Sequence, residues 1–189
     1  MEVAKVIIVL LALLLNTIAK ASEKYGATRA KYQFNLDALQ TLITVESNSV
    51  ILQSIKLKPS TSSDRKLIVG DFNFDGIEDF SVSGDEGNVA KFSDIYLFSR
   101  KSGKFELNMK FSEIPCFSTN SKERTVSGEC FHASSCENWV EKNIVRNDNK
   151  LELIEKKGVY CDPITGQAYK YTEAYRRGNL VKNSIHETK

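Results

Sequence analysis

The stretch Arg65–Gly84, "RKLIVGDFNFDGIEDFSVSG", decides how the chain is read. An apolar, β-branched run, Leu67-Ile68-Val69, leads into it, and an alternating run, Phe80-Ser81-Val82, leads out. Both have the look of strands, one entering and one leaving a loop. Between them lie Asp71, Asn73, Asp75 and Asp79 around a single glycine, Gly76. The stretch is therefore strand, acidic loop, strand, and the remaining sequence continues in the same manner.

Outward from this unit, short alternating or β-branched runs are broken by polar turn residues nearly everywhere after Tyr32. "LITVESNSVILQSIKL" predicts a hairpin turning at Ser47-Asn48-Ser49, and "PSTSSD" a loop. "DIYLFSRKSGKFELNM" predicts a hairpin on Lys101-Ser102-Gly103. "ERTVSGEC" is a further strand, and "ENWVEKNIVRNDNKLELIEKKGVYC" two strands around Asp148-Asn149, residue types that tolerate positive φ. A last hairpin runs from "GQAYKYTEAY" through Arg177-Gly178-Asn179 to "LVKNSI". About ten strands joined in sequence order make an antiparallel meander. The expected fold is all-β, a sandwich, barrel or propeller-like sheet with one calcium-type loop between strands. No fixed-period repeat of the kind that marks a regular propeller is present.

The N-terminus, "MEVAKVIIVLLALLLNTIAKAS", has Lys5, an apolar run from Val6 to Leu15 and the small residues Ala19 and Ala21 where a signal peptidase reads. Residues 1–21 are expected to be a cleaved secretory signal. The apolar run is ten residues, short of the roughly 20 a membrane anchor needs. Of 189 residues, removal of 21 leaves 168, enough for one domain with a real core. Residues 22–31 read as a flexible N-terminus and residues 32–189 as a single β domain, expected to be monomeric. The 26 basic and 24 acidic residues are scattered, which gives no reason to invoke nucleic acid.

All four cysteines, Cys116, Cys130, Cys136 and Cys161, lie in the C-terminal half. In an exported chain an even count reads as disulfides, here with three possible connectivities. Hairpin register selects among them. If Asn147 sits opposite Lys150, counting outward brings Cys136 opposite Cys161, within bridging distance. Cys116 with Cys130 follows by elimination.

The acidic loop has a chemical rationale. Asp71, Asn73 and Asp75 occupy positions 1, 3 and 5 of a calcium loop, Gly76 position 6, Ile77 position 7 with its carbonyl, and Asp79 position 9. Calcium takes about six to eight hard oxygens, and this spacing wraps them around one centre while glycine permits the sharp turn. Without a cation, carboxylates held this close repel one another. Two features depart from the helix-flanked version: position 12 is Val82, which offers no carboxylate, and both flanks are strands. Water, Asp85 or Glu86 are candidates for the missing ligand. An acidic turn whose side chains only cap their own backbone is the plain alternative.

"VGDFNFDGIEDFSVSG" resembles the calcium loop of FG-GAP and VCBS-type β proteins. With "VILQSIKL" before it, "SDIYLFSRKSGKFELN" after it and "NKLELIEKK" later, the chain is similar, over about residues 40–160, to a narrower group. These are periplasmic immunity proteins of compact propeller-like fold that inhibit peptidoglycan hydrolase toxins of bacterial type IV secretion. The resemblance implies the metal set Asp71, Asn73, Asp75, Ile77 and Asp79, a periplasmic or secreted location, and a rim loop that blocks a hydrolase cleft. The corresponding segment here is "CFHASSCENW", Cys130–Trp139, with Phe131, His132 and Trp139 as anchors. It differs from the glycine-rich loop of such relatives in carrying two cysteines, and disulfide stiffening lowers the entropic cost of binding. A core role for Trp139 and a solvated one for His132 compete with this reading.

Enzymatic readings are weaker. The chain has two histidines, His132 and His186, and no nucleophile elbow. Zinc on Cys130, His132 and Cys136 competes poorly with disulfides in an exported chain. Asp94 and Glu113 would serve as glycosidase carboxylates only if the fold joined them. The expected function is non-enzymatic: a calcium-bound periplasmic inhibitor of a peptidoglycan hydrolase, or else an exported adhesion module that holds carbohydrate or protein.

Overall fold

Strand formation begins with apolar runs punctuated by residues that accept left-handed backbone. The computed structural model describes residues 32–59, 65–86, 91–130, 136 and 138–188, without the side chains of residues 84–86 and 130. The expected signal (1–21), the flexible N-terminus (22–31), Phe131 and His132 lie outside the described residues.

Three antiparallel sheets account for the described chain, each a meander in sequence order. The first holds β1 (Gln33–Leu36), β2 (Leu42–Ser47) and β3 (Val50–Lys56). The central sheet holds β4 (Leu67–Gly70), β5 (Asp79–Glu86), β6 (Lys91–Ser99) and β7 (Lys104–Leu107). A short helix, α1 (Met109–Ser112), leads to the third sheet. That sheet has six strands: β8 (Phe117–Asn120), β9 (Thr125–Cys130), β10 (Trp139–Arg146), β11 (Lys150–Cys161), β12 (Ala168–Arg176) and β13 (Asn179–Glu187). The all-β expectation holds, in the form of stacked sheets, a sandwich.

The tight turns explain this topology. Asn48 and Ser49 have φ of 51° and 62°, and Arg177 and Gly178 have φ of 52° and 78°. Positive φ at both central residues gives the turn whose twist matches the flanking strands.

The middle of the central sheet, β5 with the centre of β6, is buried on both faces, and strand alternation sends its side chains to two separate cores. Along β6, Tyr96 and Phe98 pack with Phe80, Val82 and Phe105 against Ile43, Val45 and Leu57 of the first sheet and its flanks. Ile95 and Leu97 point the other way, joining Phe72, Phe74, Phe111 and Ile114 against Val126 and Val145 of the third sheet. Phe80 stacks on Tyr96 with ring centroids 4.7 Å apart, and its own surface is wholly buried. Asn108 caps α1 by accepting the Phe111 N–H, and the Ser112 hydroxyl accepts the Ile95 N–H, which seats the helix on β6.

The β10–β11 hairpin contains an instructive compensation. Its turn takes three residues, Asn147–Asn149, so pairing starts with Arg146 opposite Lys150, one step away from the expected register. Ile154 then has no partner in β10, and this bulge restores the expected register from Lys142–Glu155 onward. Cys136 and Cys161 accordingly form a disulfide, with Cα atoms 5.4 Å apart. Cys116 is also disulfide-bonded, and no described cysteine is free. Its expected partner, Cys130, has a side chain outside the described set.

Truncating Phe80 to alanine removes the ring at the centre of the first core. Phe80→Ala should cost about 3–5 kcal/mol in urea unfolding. Ile68→Ala, at a position 55% exposed on the same sheet, should stay within about 0.5 kcal/mol of wild type. Equal losses would contradict the two-faced burial of the central sheet.

Candidate functional site

The acidic loop joins β4 to β5 and is folded by its own side chains. Asp71 Oδ1 accepts the Asp75 N–H at 3.0 Å, and Asp71 Oδ2 accepts the Gly76 N–H at 2.9 Å. Asn73 Oδ1 shares the Asp75 N–H at 3.1 Å, and Asp75 Oδ1 accepts the Ile77 N–H at 2.8 Å. Gly76 has φ of 85°, a turn that a side chain would strain. The alternate spacing of oxygen-bearing residues thus turns three side chains, Asp71, Asn73 and Asp75, onto the backbone of one short segment.

Asp79 behaves differently from its neighbours. It is wholly buried, and its two oxygens accept the Phe72 N–H at 3.0 Å and the Phe98 N–H at 2.9 Å. One carboxylate therefore ties the loop to β6. Burial pushes its pKa up to about 7, against the pull of those two N–H bonds, and the charges of Asp75 and Asp71 push it further in the same direction. A cation beside these carboxylates would offset that repulsion.

Contacts from distant segments hold the loop from outside. Asn73 Nδ2 donates to Asn149 Oδ1 at 3.0 Å, across 76 residues. Arg124 Nη1 donates to the Phe74 carbonyl at 2.8 Å, and its guanidinium lies 5.7 Å from the Phe74 ring centroid. Arg100 donates to the Asp75 carbonyl at 3.1 Å, with its Nε 3.7 Å from the Asp75 carboxylate. The loop is thus bound to β6, to the segment before β9 and to the β10–β11 turn.

Among the described residues, no group of three or more His, Cys, Asp or Glu side chains converges on a metal position. The loop's oxygen set is mixed, with the Asn73 amide and the Ile77 carbonyl beside Asp71 and Asp75. All are hard oxygens, and each oxygen that accepts an N–H bond keeps a second lone pair. This donor chemistry fits a hard divalent cation.

The second expected element is the partner-binding segment. Trp139 is half-buried at the start of β10, and Lys156 Nζ lies 5.9 Å from its ring centroid. Register places Trp139 in a row with Gly158, Tyr171 and Ile185, next to the row of Tyr160 and Tyr169. Tyr160 and Tyr169 stack with centroids 5.3 Å apart, and Tyr160 lies 6.2 Å from Tyr171. A Cβ at Gly158 would stand 2.9 Å from the Tyr171 hydroxyl and 2.3 Å from the Asn138 carbonyl. Only glycine lets this ring and backbone approach. Among the described residues, Trp139, Tyr169 and Tyr171 are part-buried and lie, with Tyr160, outside both cores, so this half of the third sheet carries its own aromatic row. Of the two carboxylates considered for glycoside cleavage, Asp94 lies on β6 and Glu113 caps the C-terminus of α1.

Sequence reasoning missed Arg100, Arg124 and Asn149 as supports of the loop, since nothing local marks them. The tyrosines did leave a signal: Tyr169, Tyr171 and Tyr175 recur at even spacing in a strand and so share a face.

Compared with protein-family models, with curated proteins and with solved structures, the chain matches none of them. No described helix is long and apolar enough to cross a membrane. The Cys136–Cys161 disulfide is compatible with export.

Asp79→Asn separates a brace from a ligand. An amide has one acceptor for two buried N–H donors, so the variant should lose about 1–3 kcal/mol in calcium-free urea unfolding. Unchanged stability without calcium would show that Asp79 does not brace the loop.

Proposed function

We propose that the protein is an exported, calcium-stabilised β protein of the periplasm that inhibits a peptidoglycan hydrolase as an immunity protein. Asp71, Asn73, Asp75 and the Ile77 carbonyl hold the calcium ion, with Asp79 bracing the loop around them. The ion neutralises clustered carboxylates and stiffens the joint between the central sheet and its neighbours. It has a structural role and performs no chemistry.

The observation that carries the inhibitor reading is the Cys136–Cys161 disulfide beside the aromatic row. It fastens the base of the Cys130–Trp139 segment to the end of β11. A segment fixed in this way loses little entropy when it enters a cleft, and Trp139 and the neighbouring tyrosines are the residue types that dominate interface energetics. Phe131 and His132 belong to the same segment and are assigned to the contact with it. Inhibition is then steric, and the protein itself is not an enzyme.

A second reading is favoured by one specific observation. Tyr160 and Tyr169 stack in a row with Trp139 nearby, and polar groups such as Lys156 and Glu173 lie on the same face by register. Flat aromatic surface flanked by hydrogen-bonding groups also suits a glycan, as in an adhesion or carbohydrate-binding module.

A lysis assay distinguishes them. The protein, added with calcium to a panel of muramidases and other peptidoglycan hydrolases, should inhibit at least one stoichiometrically. Trp139→Ala should weaken that inhibition by roughly 30-fold or more, the scale of an interface hot spot. Absence of inhibition across the panel, together with co-sedimentation on purified glycan, would replace the first reading with the second.

A further inference from the structure

The charges around the acidic loop are unevenly matched. Asp71 and Asp75 stand beside the buried Asp79, and among the described residues a single cation, Arg100, comes within ion-pair distance of any of them, its Nε lying 3.7 Å from Asp75 Oδ2. Arg124 reaches the same segment but is engaged by the Phe74 carbonyl and ring. Arg100 alone is set against a loop carboxylate.

The fold puts it there. Arg100 opens the turn between β6 and β7, which is closed by the Gly103 N–H on the Ser99 carbonyl at 2.8 Å. Two residues earlier, Phe98 donates its N–H to Asp79 Oδ1 and so fastens the end of β6 to the loop. Arg100 Nη2 then donates to the Asp75 carbonyl at 3.1 Å. The side chain is exposed, yet its guanidinium is oriented on residue 75 by these contacts.

The two oxygens of Asp75 have different duties. Oδ1 accepts the Ile77 N–H at 2.8 Å and shapes the loop, whereas Oδ2 faces Arg100. The oxygen not engaged by the loop's own backbone is the one a cation would draw on, and a positive charge already lies beside it. A dication entering this loop meets the repulsion of that guanidinium as well as the attraction of the carboxylates.

From this geometry we infer that Arg100 is the counter-charge of the metal-free loop and competes with calcium for Asp75, so that a residue outside the loop sets the calcium affinity. The inference rests on the loop holding calcium and adds what limits how tightly it does so. Arg100 softens the repulsion among the carboxylates when calcium is absent and opposes the ion when it is present. One side chain thus trades stability of the metal-free form against affinity for the metal.

Calorimetric titration of calcium into wild type and Arg100→Gln at low ionic strength tests this. The variant should bind calcium about three- to tenfold more tightly, the scale of one like charge removed at this distance, and added salt should shrink the difference. Arg146→Gln removes an arginine already matched by Glu152, and should stay within about twofold of wild type. Urea unfolding supplies a second readout: Arg100→Gln should have the lower midpoint in chelator and lose that deficit at saturating calcium, because tighter binding adds stability there. Equal or weaker calcium binding by Arg100→Gln, or the same tightening by Arg146→Gln, would overturn the assignment and leave the calcium site standing. No calcium binding by wild type or Arg100→Gln would instead sink the calcium reading on which the inference rests.

Discussion

One buried carboxylate fixes the arrangement of the rest. Asp79 accepts an N–H from Phe72 within its own loop and another from Phe98 on β6. Burying a charge is costly unless it is hydrogen-bonded, and the rise of its pKa to about 7 shows that cost only partly recovered. Around this brace, Phe72 and Phe74 enter the core between the central and third sheets, while Phe80, next in sequence, enters the core on the other side. The loop is thus the point at which both cores meet one backbone segment.

The position explains why an acidic loop would be tolerated there. Asp71, Asn73 and Asp75 each accept the loop's own N–H groups, and Asn149 and Arg124 hold it from outside. The local hydrogen bonds define the shape, and the clustered negative charge opposes it. A hard cation would remove that opposition without changing the shape. On the proposal made above, such an ion would be a structural part of the joint.

Much of this was legible in the sequence for specific reasons. The β2–β3 and β12–β13 hairpins could be read because their turns carry residues suited to positive φ, and the acidic loop because its oxygens recur at every second position around Gly76. The Cys136–Cys161 pair was found through two deviations that cancel, a longer turn and the bulge at Ile154. Neither had a local mark. The links from Asn73 to Asn149 and from Phe74 to Arg124 were not legible, because they depend on how the third sheet docks on the central one. The double use of Asp79 was hidden for the same reason: ligand spacing says nothing about which backbone N–H groups will lie opposite. β1, β8 and the single-turn α1 escaped; each is four residues long, as are β4 and β7, which were legible only as one arm of a loop or hairpin with a recognisable turn.

Calorimetric titration of calcium into the metal-free protein and into Asp75→Ala tests the central claim most directly. The account predicts one site per chain in wild type, in the modest-affinity range of extracellular modules, about 10⁻⁴–10⁻³ M, and none in the variant. No calcium binding by the wild-type protein, or equal binding by both, would contradict it and leave the loop an acidic turn held by its own hydrogen bonds.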